Sequence, residues 1–138
     1  MNLKRIDEAL RKCDSMYTPC EEVHMLLEEI KDETQNRKFY FITVFEKLEV
    51  STLGWPETGS QRCLGFYLDK DIAFQAVHEN WTDLEETIYR YALIEEYTEG
   101  IGHWTGYRQW FRFDLEKKGY VEIDEPEGYN HFSCFAFG

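Results

Sequence analysis

Positive charge is scarce in this chain of 138 residues. Lysine and arginine together number 15, against 27 aspartates and glutamates, so the formal net charge is −12 at pH 7. The electrostatic attraction that drives non-specific binding to DNA, RNA or anionic membranes therefore has the wrong sign. This balance predicts neither a direct nucleic-acid partner nor a membrane partner, and it favours a basic protein or a small molecule instead.

Long apolar runs and secretory features are also missing. No segment approaches the roughly 18 to 20 apolar residues that cross a bilayer, and the first residues, MNLKRIDE, turn acidic too early for a signal peptide. The chain has four cysteines, but no two of them have C-x-x-C spacing. We therefore expect a cytoplasmic, folded protein with reduced thiols and without a bound metal.

The common catalytic and phosphate-binding motifs are absent as well. The sequence contains no G-x-x-x-x-G-K-[ST] phosphate loop, no G-x-G-x-x-G turn after a strand, no H-E-x-x-H and no G-x-S-x-G elbow. Its four histidines are scattered. A small hydrolase or transferase that combines a histidine with a distant carboxylate stays open, but the sequence favours a non-enzymatic protein without a cofactor.

Residues 1–36 form the first predicted unit, an amphipathic helical hairpin. Apolar residues recur at three- and four-residue steps over roughly residues 2–13. A second helix is expected after Thr18, which is placed as an N-cap with Pro19 at the first helical position and Glu21 in a capping box. The hairpin could cover the main domain as a lid, or it could serve as an arm for homo-oligomerisation or partner docking.

Residues 37–138 form the second predicted unit, an α+β domain with a mostly antiparallel sheet and helices on one face. The aromatic and β-branched run Phe39–Phe45 predicts a central strand. Further strands are expected at 62–68, 89–97, 107–114, 119–123 and 132–137. Asp69 is expected to cap a helix, and Thr82–Glu85 is expected to begin a short helical turn. The helix should turn four apolar side chains inward: Ile72, Ala73, Ala76 and Val77.

The segment Trp104–Asp114 carries the residues most suited to bind a ligand. Strand alternation places Arg108, Trp110 and Arg112 on the face opposite the core. An indole between two guanidiniums suits a nucleotide-like anion, because the indole can stack on a ring while the arginines bind phosphate or carboxylate. In the alternative, structural interpretation, the arginines pair with nearby acids and Trp110 covers a sheet face.

The loop at residues 54–60 supplies a second predicted wall of this site. Trp55 lies between a glycine and a proline, and Arg62 follows a Gly-Ser turn whose backbone donors could receive an anion. The structural alternative is a packed hairpin tip. The predicted ligand-binding set is Arg108, Trp110, Arg112, Trp55, Arg62 and Trp104.

An acidic stretch gives a second functional hypothesis. Residues 69–100 contain nine acidic residues against one lysine and one arginine. Such a surface could mimic a nucleic acid and mask a basic partner, although a solvated helix face and strand edge would show the same pattern. Because Glu95 and Glu96 are neighbours in a strand, they should point to opposite faces. The predicted partner-binding residues are Asp83, Glu85, Glu86, Glu95 and Glu96.

Several short segments carry a resemblance to other proteins. They include Gly54–Gly59 with Arg62, Ala76–Asp83, Tyr91–Glu96, Tyr107–Phe113 and the ending Phe135–Gly138. Over about residues 38–138, the chain resembles a group of small proteins from gut Firmicutes and their phages and mobile elements, a group without an established activity. The resemblance implies a compact domain, and the mobile-element setting implies counter-defence, either by sequestering a nucleotide signal or by masking a defence protein.

Overall fold

The computed structural model describes residues 25–26 and 37–138. The chain divides into two units, Met1–Arg37 and Lys38–Gly138, and the fold described below is that of the second. The predicted hairpin of residues 1–36 lies outside the described residues, apart from Met25 and Leu26, which are helical. No helix among the described residues is long and apolar enough to cross a membrane.

The second unit is built on an antiparallel sheet, as predicted. Its strands are, in chain order, β1 (Lys38–Phe45), β2 (Glu49–Val50), β3 (Pro56–Glu57), β4 (Gln61–Tyr67), β5 (Tyr91–Thr98), β6 (Trp104–Asp114) and β7 (Gly119–Ile123). Five strands form the sheet in the order β4-β1-β5-β6-β7, with every neighbouring pair antiparallel. The short strands β2 and β3 pair with each other. The predicted central strand is confirmed, because β1 has partners on both sides.

One face of the sheet is covered by the helix α1 (Lys70–His78). The Asp69 side chain caps this helix by accepting hydrogen bonds from two backbone N–H groups of the first turn, as predicted. Three small side chains are buried against the sheet: Ala73, Ala76 and Val77. Ile72 was also expected to point inward, but it lies at the margin of this stripe and is 41% exposed.

The end of α1 meets the start of β7 at close range. The His78 ring nitrogen Nδ1 lies 2.9 Å from the backbone carbonyl oxygen of Tyr120. Gly119 is buried beside it, and a Cβ at this position would overlap the backbone carbonyl oxygen of His78. A glycine is therefore required here because there is no room for a Cβ. Backbone conformation is not the reason, since the φ of Gly119 lies outside the left-handed region.

The opposite face of the sheet is covered by residues 124–138, which we call the C-terminal segment. The strand predicted at residues 132–137 is wrong, because this stretch ends in a 3₁₀ turn at Phe135–Phe137 instead of pairing with the sheet. Its aromatic side chains lie on the sheet face, where Tyr129 and Phe135 pack against Phe45 and Trp110. A strand-like composition reflects burial on a pleated surface as much as strand pairing.

Hydrogen bonds tie the C-terminal segment to distant parts of the unit. The Tyr129 hydroxyl donates to the backbone carbonyl of Glu49 at 2.7 Å. The Gln61 side-chain amide donates to the carbonyl of Phe135 at 2.8 Å. The C-terminal segment is therefore a fixed layer of the fold on this face of the sheet.

The connection between α1 and β5 differs from its prediction. Its helical turn is a 3₁₀ turn at Trp81–Asp83. Thr82 does not act as an N-cap there, because its own φ is +56°. Asn80 precedes the turn but makes no side-chain cap hydrogen bond to it; its Oδ1 instead accepts a hydrogen bond from the backbone N–H of Glu85, beyond the turn, at 3.0 Å.

Candidate functional site

A cavity of about 320 Å³ opens beside the first half of β6. It forms because β7 pairs only with Trp110–Asp114, and the chain leaves the sheet after Ile123. The earlier part of β6 therefore lacks a strand neighbour on that side. The side chains that decide its chemistry are Trp104, Arg108, Trp110, Asp124, Glu125 and Asn130. Three of the six predicted ligand-binding residues thus line one cavity.

Arg108 holds the C-terminal segment onto the sheet. Its side chain is 6% exposed and forms an ion pair with Glu125, to which Nε donates at 2.7 Å. Its two terminal nitrogens also donate to two backbone carbonyls, that of Tyr129 at 2.9 Å and that of Phe132. The guanidinium is therefore engaged within the fold, which agrees with the structural interpretation of this arginine.

Trp110 forms the floor of the cavity and belongs to the core. It is 2% exposed, and its ring contacts Phe45, Tyr129 and Phe135 at centroid distances of 5.6, 5.5 and 5.6 Å. Its indole Nε1 is buried and has no hydrogen-bond partner among the described residues. The open stacking platform expected from strand alternation is covered, because Tyr129 and Phe135 of the C-terminal segment pack on this part of the sheet face.

Trp104 is the aromatic side chain of the cavity that stays partly accessible. Its indole Nε1 donates to the backbone carbonyl of Tyr107 at 3.0 Å, which fixes the ring. The Arg108 guanidinium lies 4.9 Å from the ring centroid, within cation–π range. A planar ligand in the cavity would therefore meet a ring that is already oriented.

The charges around the cavity do not favour an anion. Two carboxylates, those of Asp124 and Glu125, line it together with the single guanidinium of Arg108, which is already paired with Glu125. Sequence analysis missed both acids, although they directly follow β7 in the acidic run Asp124-Glu125. Hydrogen-bond donors on a ligand would be matched here, whereas a phosphate would face a carboxylate.

The other three predicted ligand-binding residues lie elsewhere. Trp55 is 61% exposed, and its ring lies 5.7 Å from that of Phe132. Arg62 pairs with Glu86 across 3.3 Å. Arg112 is exposed on β6. The predicted second wall from the loop at residues 54–60 is therefore not part of the described lining of this cavity.

The five acids of the alternative hypothesis do not share one exposed surface. Glu95 and Glu96 are buried, at 0% and 8% exposure, and they point to opposite faces, as predicted. Glu85 is also buried and receives a hydrogen bond from Arg90 at 2.6 Å, while Glu86 pairs with Arg62, as described above. Asp83 is the exposed member of the set without an ion pair among the described residues.

Glu95 is the most unusual of these acids. Its Oε1 accepts hydrogen bonds from the Tyr97 hydroxyl at 3.0 Å and from the backbone N–H of Ala136 at 3.1 Å. Its Oε2 is buried and finds no hydrogen-bond donor in the part of the chain that the structure describes. Burial raises the pKa of the Glu95 carboxyl, although the bonds from Tyr97 and Ala136 partly oppose the shift. This carboxyl therefore helps to fasten the C-terminal segment.

Two further findings bear on chemistry. Within residues 25–26 and 37–138, no three His, Cys, Asp or Glu side chains are grouped so that they could hold a metal ion. Cys63 and Cys134 are free thiols.

Comparison of the chain with protein-family models, with curated proteins and with solved structures finds no match.

Proposed function

We propose that the protein is a non-enzymatic binding protein whose cavity beside β6 takes a nucleotide-like molecule and recognises it through its planar base. The observation that carries this proposal is the convergence of Trp104, Arg108 and Trp110 on one cavity of about 320 Å³. Volumes of this order suit small ligands. Trp104 supplies the accessible ring, on which a base can stack.

The charges of the cavity decide which part of the ligand enters. Because Arg108 already binds Glu125 and two backbone carbonyls, it has little capacity left for a phosphate. Asp124 and Asn130 can instead bind the amino and imino groups of a base. A phosphate on the ligand would point away from the carboxylates and towards solvent.

The proposed biological role follows from the resemblance to proteins of phages and mobile elements. A protein of that setting that binds a nucleotide-like molecule tightly would act by sequestering a nucleotide signal of a host defence.

The first experiment identifies what the protein carries. The purified protein is denatured, and the released small molecules are identified by mass spectrometry beside a native mass of the same sample. Nucleosides and the matching 5′-monophosphates and cyclic nucleotides are then titrated by calorimetry. We expect a nucleoside to bind at least as tightly as its monophosphate, because the recognised part is the base.

A pair of tryptophan variants tests the site. Trp104→Leu should weaken binding about tenfold or more, since stacking on an aromatic side chain contributes about 1–3 kcal/mol per base. Trp55→Leu is the matched control, an exposed tryptophan outside the cavity, and should bind normally. The proposal fails if no member of the panel binds, or if Trp104→Leu and Trp55→Leu bind alike.

A further inference from the structure

A second cavity, of about 230 Å³, is open to solvent and lined by aromatic rings where β4, β1 and β5 lie side by side. Its aromatic lining comes from Phe39, Phe41, Phe66, Tyr97 and Phe137. These residues belong to three neighbouring strands and to the 3₁₀ turn of the C-terminal segment. The cavity is separate from the one beside β6, since the two share no lining residue.

Most of the contacting rings stand at steep angles to one another, while Phe41 and Phe66 are tilted by 38° at 5.2 Å. Phe41 lies 5.3 Å from Tyr97 at an interplanar angle of 85°, and 5.1 Å from Phe137 at 64°. Phe39 lies 5.5 Å from Phe66 at 70°. Tyr97 is buried, whereas Phe66 and Phe137 are 51% and 57% exposed. The arrangement has a closed floor and open walls, in the form of a cage.

Charge indicates what such a cage would bind. The electron-rich faces of aromatic rings attract cations, and cages of several rings suit quaternary ammonium groups. Glu99 is the charged residue among the described lining of this cavity, and the chain as a whole carries a formal charge of −12. Both features favour a cation over a neutral apolar group of the same size.

We propose that this aromatic cage, formed by Phe39, Phe41, Phe66, Tyr97 and Phe137 with Glu99 at its side, binds the quaternary ammonium group of a small molecule. The trimethylammonium group has no N–H donor, so it needs no hydrogen-bond acceptor in the cage. It gains instead from ring faces and from a nearby carboxylate. The site is independent of the proposed function at the β6 cavity.

Choline and its neutral isostere 3,3-dimethylbutan-1-ol provide the test, because they have nearly the same shape and differ in charge. Each is titrated into the full chain by calorimetry, and the amide signals of Thr98 and Gly100, which line the cavity, are followed by NMR. We expect saturable choline binding that shifts these signals, and binding of the isostere that is about tenfold weaker or undetectable.

Three variants and a control locate the binding. Phe66→Leu and Phe137→Leu keep apolar bulk but remove a ring, and should each weaken choline binding severalfold; both side chains are more than half exposed, so the fold should persist. Glu99→Gln should weaken choline but leave the isostere unchanged, while Trp55→Leu should change neither. Equal binding of choline and the isostere, no choline binding, or unchanged binding by both phenylalanine variants would overturn the proposal.

Discussion

Replacing Arg108 distinguishes two roles of this arginine, binding a ligand and fastening the C-terminal segment to the sheet. A residue reserved for a ligand can be truncated with little loss of stability, whereas a residue that fastens one layer of the fold cannot. In the structure, the Arg108 guanidinium is buried and bonded to Glu125 and to the backbone carbonyls of Tyr129 and Phe132. We therefore expect Arg108→Ala to destabilise the protein strongly.

The size of the effect follows from the bonds that are lost. A hydrogen bond to a charged group contributes about 1.5–3 kcal/mol, and two carbonyls lose such a bond. The pair with Glu125 adds less, because the Glu125 side chain is 38% exposed and water screens it. The expected loss is about 3–5 kcal/mol in the free energy of unfolding, or a decrease of about 12–20 °C in melting temperature.

Urea denaturation of Arg108→Ala and of Arg112→Ala measures this loss against a matched control. Arg112 lies four residues further along the same strand and on the same face, but it is exposed, so its variant should stay within about 0.5 kcal/mol of the parent. Hydrogen exchange should accelerate in the C-terminal segment of Arg108→Ala first. If the two variants are equally stable, Arg108 does not fasten the C-terminal segment, and our account of the cavity is wrong.

Two further predictions concern buried positions. Gly119→Ala should cost about 1–3 kcal/mol, because its Cβ would overlap the backbone carbonyl of His78, and a variant as stable as the parent in urea would refute the steric argument. Burial raises the pKa of Glu95 above its unfolded value, so its contribution to stability is full below the unfolded pKa and is lost as pH rises through the folded pKa. The stability of Glu95→Gln relative to the parent should therefore increase as pH rises from the unfolded to the folded pKa of Glu95, by at most about 1.4 kcal/mol per pH unit. Urea midpoints of the two proteins that change with pH in the same way over about pH 4–8 would contradict this.

The strands and the helix could be predicted because their signals are local. A run of aromatic and β-branched residues predicted β1, and Asp69 followed by a helical apolar stripe predicted α1. The C-terminal segment could not be predicted in this way. Phe132–Phe137 has the composition of a strand, yet it lies across the sheet, where its position depends on residues such as Gln61 and Arg108 far away in the sequence.

The candidate site could be predicted only in part, because strand alternation is a local signal and the rest of the site depends on distant contacts. Strand alternation correctly placed Arg108 and Trp110 on one face of β6, but it gave no information on what covers that face. The carboxylate of Glu125, which pairs with Arg108, comes from 17 residues further along the chain. Local patterns therefore identified side chains of the cavity, while its charge and its covered floor depended on tertiary contacts.

The long-range bonds of the C-terminal segment have a consequence for synthesis on the ribosome. The Tyr129 hydroxyl binds the backbone of Glu49, 80 residues earlier, and Gln61 binds Phe135 across 74 residues. Contacts between residues so far apart in sequence form late and slow the folding of a sheet. Until residues 129–135 have been translated, Trp110 and Phe45 lack the aromatic side chains that cover them. A nascent chain that pauses before this point would expose the uncovered sheet face to chaperones or to aggregation.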